Sequence, residues 1–240
     1  MRVALFTTCL VDHLAPQVAA ATVAVLRRAG VAVGYDFQQT CCGQLPLNDG
    51  FWPEARALAR RHLALLGEAD AVVIPSGSCT AMVRHWYPRL LEAGRERDRA
   101  EAVAGRTYEL CEFLVRRLGV TAVEAVFPHR VTYLASCHGY RELGLGTIPL
   151  RLLRAVRGLE LRPLLHIEEC CGFGGVFAVK MADLSASMLE AKLRAVEASG
   201  AEVVTGTDLS CLMHVAGGLR RRGSPVRAVH IAEILASPPP

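Results

Sequence analysis

The stretch Cys170-Cys171-Gly172-Phe173-Gly174-Gly175 decides how the rest of the chain is read. Neighbouring side chains of an extended strand point to opposite faces. Two adjacent thiols therefore serve one site only where the backbone turns sharply. Gly172 supplies such a turn, because glycine takes positive φ at little steric cost. The same device stands earlier in the chain, at Cys41-Cys42-Gly43.

The duplication extends well beyond the two triplets. Cys9, Cys41, Cys42 and Cys79 map in order, at a nearly constant offset, onto Cys137, Cys170, Cys171 and Cys211. Ser78-Cys79 matches Ser210-Cys211, and Leu110–Leu114 matches Ile231–Leu235. A repeat of this length sets the architecture before any local propensity does. Within each copy, short apolar runs alternate with helical patterns. Arg2–Thr8, Val31–Tyr35 and Ala71–Ile74 read as strands in the first copy. Val131–Ser136, Leu159–His166 and Glu202–Thr205 do so in the second, and Val226–His230 and Ile231–Leu235 complete the unit. Pro16 opens a helix that Gly30 closes, Pro53–Leu66 forms another, and Ala178–Ser199 forms a long one. Tyr108–Leu118 reads as an amphipathic helix. The expectation is an α/β protein of two pseudo-repeated, Rossmann-like halves, residues 1–128 and 129–240. Each half is a small, mostly parallel sheet flanked by helices.

Composition narrows the function classes. A chain of 240 residues, 52% hydrophobic, buries a sizeable core. A net charge of +4, with no basic run interleaved with aromatics, argues against nucleic-acid binding. No apolar stretch approaches the roughly 20 residues of a transmembrane helix, and no targeting segment is visible. The chain reads as cytoplasmic, with Ser237–Pro240 as a frayed tail. In that compartment structural disulfides are rare, so nine cysteines read as metal or redox ligands.

The order within each half is a single cysteine, a long gap, the adjacent pair, a somewhat longer gap and a fourth cysteine. Each cysteine follows an expected strand, at the edge where open α/β sheets gather ligands. Two four-cysteine sites result, with Cys111 left over as a buried, inert thiol. Three chemistries suit such sites. Iron–sulfur ligation fits four thiolates in a glycine-rich, backbone-lined pocket. Structural zinc accepts four cysteines but usually draws them from local C-x₂₋₄-C pairs, and this chain has no CxxC. A thiol pair cycling to a disulfide is the third.

The duplicated cysteine, CCG, cysteine pattern resembles the CCG (cysteine-rich) domain family. That family includes the lactate utilization A group, the iron–sulfur subunit of glycolate oxidase and the cysteine-rich subunit of heterodisulfide reductase. Cys170–Gly175 and Asp208-Leu209-Ser210-Cys211-Leu212-Met213-His214 carry the likeness, which is nearest to the lactate utilization group in length and flanking residues. The resemblance implies an iron–sulfur electron-transfer subunit for L-lactate oxidation, with separate iron–sulfur and accessory subunits as partners. It implies that Cys9, Cys41, Cys42, Cys79, Cys137, Cys170, Cys171 and Cys211 hold the metal, as one or two clusters, of [4Fe-4S] type. The alternatives are a glycolate-type or heterodisulfide-type redox subunit, or a zinc-stabilised assembly module with no redox role. The full family motif ends in CxxC, where this chain has Met82 and His214. That argues against five-thiolate clusters and leaves four thiolates at each site.

Around the cysteines, Gly43, Gly172, Gly174 and Gly175 are the candidate backbone donors to a cluster. His214 is a candidate additional ligand, or a helix histidine in a hydrogen bond. Met82 reads as packing. His138 either donates to a sulfur or caps its loop, and Glu168 and Glu169 read as exposed charges. The glycines after Cys171 lack GxGxxG spacing, so a dinucleotide site is not expected, and no catalytic residue is assigned. The second site, richer in glycine and histidine, is expected to hold its cluster more securely and at higher potential.

Overall fold

The computed structural model describes residues 1–238; of the expected frayed tail, Pro239 and Pro240 lie outside the described residues. The chain divides into two compact units, Met1–Leu118 and Gly119–Pro240.

The first unit begins with β1 (Arg2–Leu5), α1 (Cys9–Leu14), α2 (Pro16–Arg28) and β2 (Ala32–Gly34). The CCG turn leads into α3 (Gln44–Asn48) and α4 (Trp52–Leu66), followed by β3 (Ala71–Ile74) and α5 (Gly77–Ala81). A π-helical turn, Met82–Trp86, joins α5 to α6 (Tyr87–Leu90). Then come α7 (Arg95–Ala104), β4 (Thr107–Glu109), α8 (Leu110–Glu112) and a second π-helical turn, Phe113–Arg117. The four strands form one parallel sheet in the order β2-β1-β3-β4. All four residues of β3, Ala-Val-Val-Ile, are buried. A parallel strand covered by helices on both faces needs this unbroken apolar run rather than alternation. Its core gathers Phe6, Leu63, Val72, Ile74, Met82 and Tyr87 around Cys42 and Cys79.

The second unit follows the same plan. It has β5 (Arg130–Leu134), a π-helical turn at His138–Glu142, α9 (Ile148–Arg154), β6 (Glu160–Arg162), α10 (Phe177–Lys180) and α11 (Ala182–Ala198). It ends with β7 (Val203–Gly206), α12 (Leu209–Arg221), β8 (Arg227–His230) and α13 (Ile231–Ala236). The strand order β6-β5-β7-β8 repeats that of the first unit, again wholly parallel. Leu134, Leu164, Leu193, Val196, Val204, Leu212 and Val215 pack around Cys171. The expected α/β architecture of two pseudo-repeated halves is therefore present.

Three local expectations need correction. Residues 107–109 are the edge strand β4 and not the start of a helix, with Val72, Val73 and Ile74 in register with Thr107, Tyr108 and Glu109. Leu159–His166 keeps strand geometry only over Glu160–Arg162. The long helix at Ala178–Ser199 is broken at Met181, whose φ of −123° and ψ of 50° separate α10 from α11. No helix among the described residues is long and apolar enough to cross a membrane.

Candidate metal centre

In the first unit every cysteine of the quartet sits in a loop or helix start that follows a strand. Thr8, at φ 74° and ψ 150°, swings the chain out of β1 and starts α1 at Cys9. A β-branched residue rarely adopts that conformation, and such strain gathers at functional sites. Gln39 ties the loop before the CCG to the end of β1. Its Nε2 donates to the Leu5 carbonyl at 2.6 Å, and its Oε1 accepts from the Thr7 amide at 3.1 Å. Gly43 then turns the chain at φ 91°, and its amide donates back to Cys41 Sγ at 3.4 Å. Cys79 lies in the first turn of α5, its amide donating to the N-cap hydroxyl of Ser76 at 3.3 Å. The Tyr87 hydroxyl donates to the Cys42 carbonyl at 3.0 Å.

These supports bring the four thiols into one connected group. Cys41 accepts from the thiols of Cys42 and Cys9, and Cys42 also meets Cys79. Those two thiol donors and the Gly43 amide hold the Cys41 thiol well below the ordinary thiol range. The hydrogen bond to Cys41 and burial push Cys9 up. Cys42, buried among the sulfurs, rises too, first through Cys41 and Cys79 and then through desolvation. Within the quartet Cys41 is thus the thiol most favoured as a thiolate, and a bound cation would displace the protons of its neighbours.

The second unit repeats the arrangement. Gly172 turns at φ 88°, and its amide donates to Cys170 Sγ at 3.3 Å. Cys170 accepts from Cys137 and Cys171, and Cys171 meets Cys211. Cys170 is the lowered thiol; Cys137 and Cys171 are raised by their hydrogen bonds to it and by burial. Asp208 caps α12 by accepting from the Ser210 amide at 3.3 Å, and it also accepts from the Ser210 hydroxyl at 2.6 Å, which fixes the turn that presents Cys211. The Cys137 sulfur lies 3.6 Å from His138 Nδ1, and His138 Nε2 lies 3.5 Å from Glu142 Oε1.

The other expected residues fall as follows. Gly174 and Gly175 form the turn between the cysteine pair and α10, both with positive φ. His214 Nε2 lies 3.4 Å from Ser185 Oγ, and its ring meets Phe173 edge-on at 5.8 Å. Burial lowers its pKa. Met82 is fully buried, and its methyl group lies behind the Gly43 turn. Cys111 is fully buried, and burial raises its thiol pKa. Its amide donates to Glu109 Oε2 at 2.7 Å.

Two supporting residues escaped the sequence reading. His62, fully buried on α4, places Nε2 3.1 Å from the Cys41 carbonyl. Lys192, 1% exposed on α11, donates from Nζ to the His166 carbonyl at 2.7 Å. The two stand at matching places in the repeat. A signal was available, since Lys192 is one of only two lysines and lies in the apolar stripe of its helix.

The model of the CCG cysteine-rich domain matches residues 3–84 and 131–216, one copy in each unit. The chain belongs to this family. It is 47% identical over 236 residues to a protein of an Exiguobacterium species called lactate utilization protein A, covering 97% of this chain and 96% of that one. It is 46% identical over 238 residues to a protein of the same name from Bacillus velezensis, covering 99% and 100%. Among solved structures, a putative Asp/Glu racemase from Yersinia pestis aligns over 98% of this chain and 95% of that one. The TM-score is 0.37 at 12% identity, too slight a likeness to bear on function.

The donor set of this CCG protein suits a thiolate-bound iron–sulfur group. Each unit offers four sulfurs linked by a run of contacts, one of them with its pKa well below the ordinary thiol range and a backbone amide aimed at it. Among the described residues, no group of three or more His, Cys, Asp or Glu side chains is already arranged to hold a metal ion.

Proposed function

We propose that this chain is an iron–sulfur electron-transfer subunit of a multi-protein system that oxidises lactate. The observation that carries the proposal is the repeated quartet of contacting thiols, in a chain whose relatives at 46% and 47% identity are called lactate utilization protein A. Cys9, Cys41, Cys42 and Cys79 would hold one cluster, and Cys137, Cys170, Cys171 and Cys211 another. A bound cluster takes up and releases one electron at a time. The chain's own residues hold the ligands and set the local polarity. Gly43 and Gly172 aim amides at Cys41 and Cys170, and Gln39, Ser76, Tyr87, Asp208 and Ser185 brace the loops around them. Hydrogen bonds to sulfur favour the more negative, reduced state. Lactate would be oxidised elsewhere in the system, with partner subunits carrying further clusters.

The test is iron and acid-labile sulfide analysis on full-length protein purified or reconstituted without oxygen, alongside its visible spectrum. Brown protein with matching iron and sulfide supports the reading. Colourless protein with stoichiometric zinc would replace it with a zinc-stabilised assembly module. Lactate turnover by the purified chain alone would overturn the dependence on partners.

A further inference from the structure

We infer that Lys192 is a built-in cation that raises the reduction potential of the Cys137/Cys170/Cys171/Cys211 site relative to the other. The inference rests on the iron–sulfur reading and adds to it a residue and a direction.

Lys192 is an unusual side chain to bury. It belongs to the helix face made by Ser185, Leu193 and Val196, at 1% exposure. Its hydrogen-bond partner is a neutral carbonyl, that of His166, at 2.7 Å. Among the described residues it forms no ion pair; Glu169 lies instead 3.6 Å from His166 Nδ1. A buried ammonium is costly unless negative charge lies close by. Burial lowers the Lys192 pKa, against the opposing pull of the cysteine-pair loop, where Glu168, Glu169 and the lowered Cys170 thiol lie beside Cys171. A thiolate-bound cluster at this quartet would place further anionic charge there, and the cation favours its more negative, reduced form.

The first unit supplies an internal comparison. His62, Leu63 and Leu66 on α4 occupy the places of Lys192, Leu193 and Val196 on α11, at one common offset in the sequence. His62 does a comparable mechanical job, bonding the Cys41 carbonyl at 3.1 Å. Its Nδ1 is buried with no partner, burial lowers its pKa, and a neutral ring donating from Nε2 satisfies the Cys41 carbonyl without any charge. Both helices brace the chain at the cysteine pair, but only α11 brings a charge. His166 is also the one residue besides Thr8 and glycines with positive φ among the described residues, 52°. Lys192 therefore also positions the loop, and the test must separate the two roles.

Wild-type protein, Lys192→Met and Lys192→Arg are prepared as full chains without oxygen. Iron and sulfide are measured per chain, and each sample is titrated electrochemically with spectroscopic detection. Cys171→Ser identifies which titrating component belongs to the second site. The Met variant is expected to keep its iron while that component moves to lower potential and the other stays in place. The Arg variant is expected to titrate as wild type. A fully loaded Met variant with an unmoved component overturns the proposal. If the Met variant loses iron, Lys192→Gln takes its place, since it keeps a donor without charge. A lowered second-site component then supports the proposal and an unmoved one overturns it. A wild-type chain that assembles no cluster removes the iron–sulfur reading and this inference together, whereas a loaded chain with an unmoved variant removes this inference alone.

Discussion

A Cβ placed on Gly172 would stand 2.6 Å from the Ser185 carbonyl oxygen, at a position where the Ser185 hydroxyl also donates to the Gly172 carbonyl at 2.8 Å. The turn after the cysteine pair is pressed onto α11 at backbone distance. In the first unit Gly43 faces the carbonyl of Ala55, the counterpart of Ser185 on α4, but at 3.3 Å. Gly172→Ala thus combines a left-handed φ with a backbone overlap, while Gly43→Ala carries chiefly the φ penalty. The left-handed conformation costs on the order of 1–2 kcal/mol and overpacking adds about 1–3 kcal/mol. Urea unfolding should show the larger loss, about 2–4 kcal/mol, for Gly172→Ala. Equal losses for the two variants would contradict the difference in packing.

Glu112 is expected to act as a keystone at the end of the first unit. Its two carboxylate oxygens pair with Arg84 at 2.8 Å and Arg116 at 2.7 Å, while its own side chain is 3% exposed. Arg84 comes from the π-helical turn after α5, and Arg116 from the turn after α8. Removing one partner of a buried pair leaves uncompensated charge, which costs about 3–5 kcal/mol. Because both arginines reach solvent, about 2–3 kcal/mol is expected for Glu112→Ala. Chemical denaturation of the variant measures this, and a loss under about 0.5 kcal/mol would show the pairs to be ornamental.

Much of this was legible in the chain itself, and the repeat explains why. Cysteine spacing survives any uncertainty about helix ends, so the two quartets and the parallel α/β halves could be read directly. The edge strand β4 could not be read from its own pattern. Thr107–Glu109 is short and ends in a carboxylate, Glu109, that is fully buried. The π-helical turns that follow Cys79, Cys111 and Cys137 leave no mark in apolar periodicity. Lys192 and His62 were missed for another reason. A titratable residue in an apolar stripe is explained only when the carbonyl it meets is known.

Glu109 gives the fold a pH dependence of its own. Burial raises its pKa from 4.5 to about 8, against the pull of the Glu112 and Cys111 amides, from which its Oε2 accepts. Its Oε1 is buried with no partner. Between these two values the folded chain holds a proton that the unfolded chain releases. Stability from this group is therefore fully present below about pH 4.5 and is lost as pH rises to about 8. The slope approaches about 1.4 kcal/mol per pH unit in mid-window. Glu109→Gln keeps an acceptor for the two amides and removes the ionisation. Paired unfolding curves from about pH 5 to about pH 8 should show the wild type losing stability relative to the variant. Parallel pH profiles would rule out the buried, protonated carboxyl.

The ninth cysteine tests the ligand assignment most directly. Cys111 has neighbours unlike those of the quartets: Glu109 lies beside it, and its thiol is raised by burial. It corresponds in the repeat to Ala232, which is also fully buried. The second unit thus accommodates a methyl group at this place. Cys111→Ala should therefore cost about 1 kcal/mol or less and leave iron and sulfide per chain unchanged. Cys42→Ser and Cys171→Ser should each remove about half of the iron, because each deletes a ligand from one of two sites. The second site, with its glycine-rich turn, should retain iron longer under a chelator in the Cys42→Ser protein than the first does in Cys171→Ser. Iron lost from Cys111→Ala in the same proportion would mean that the thiols are not partitioned into two quartets and a structural remainder.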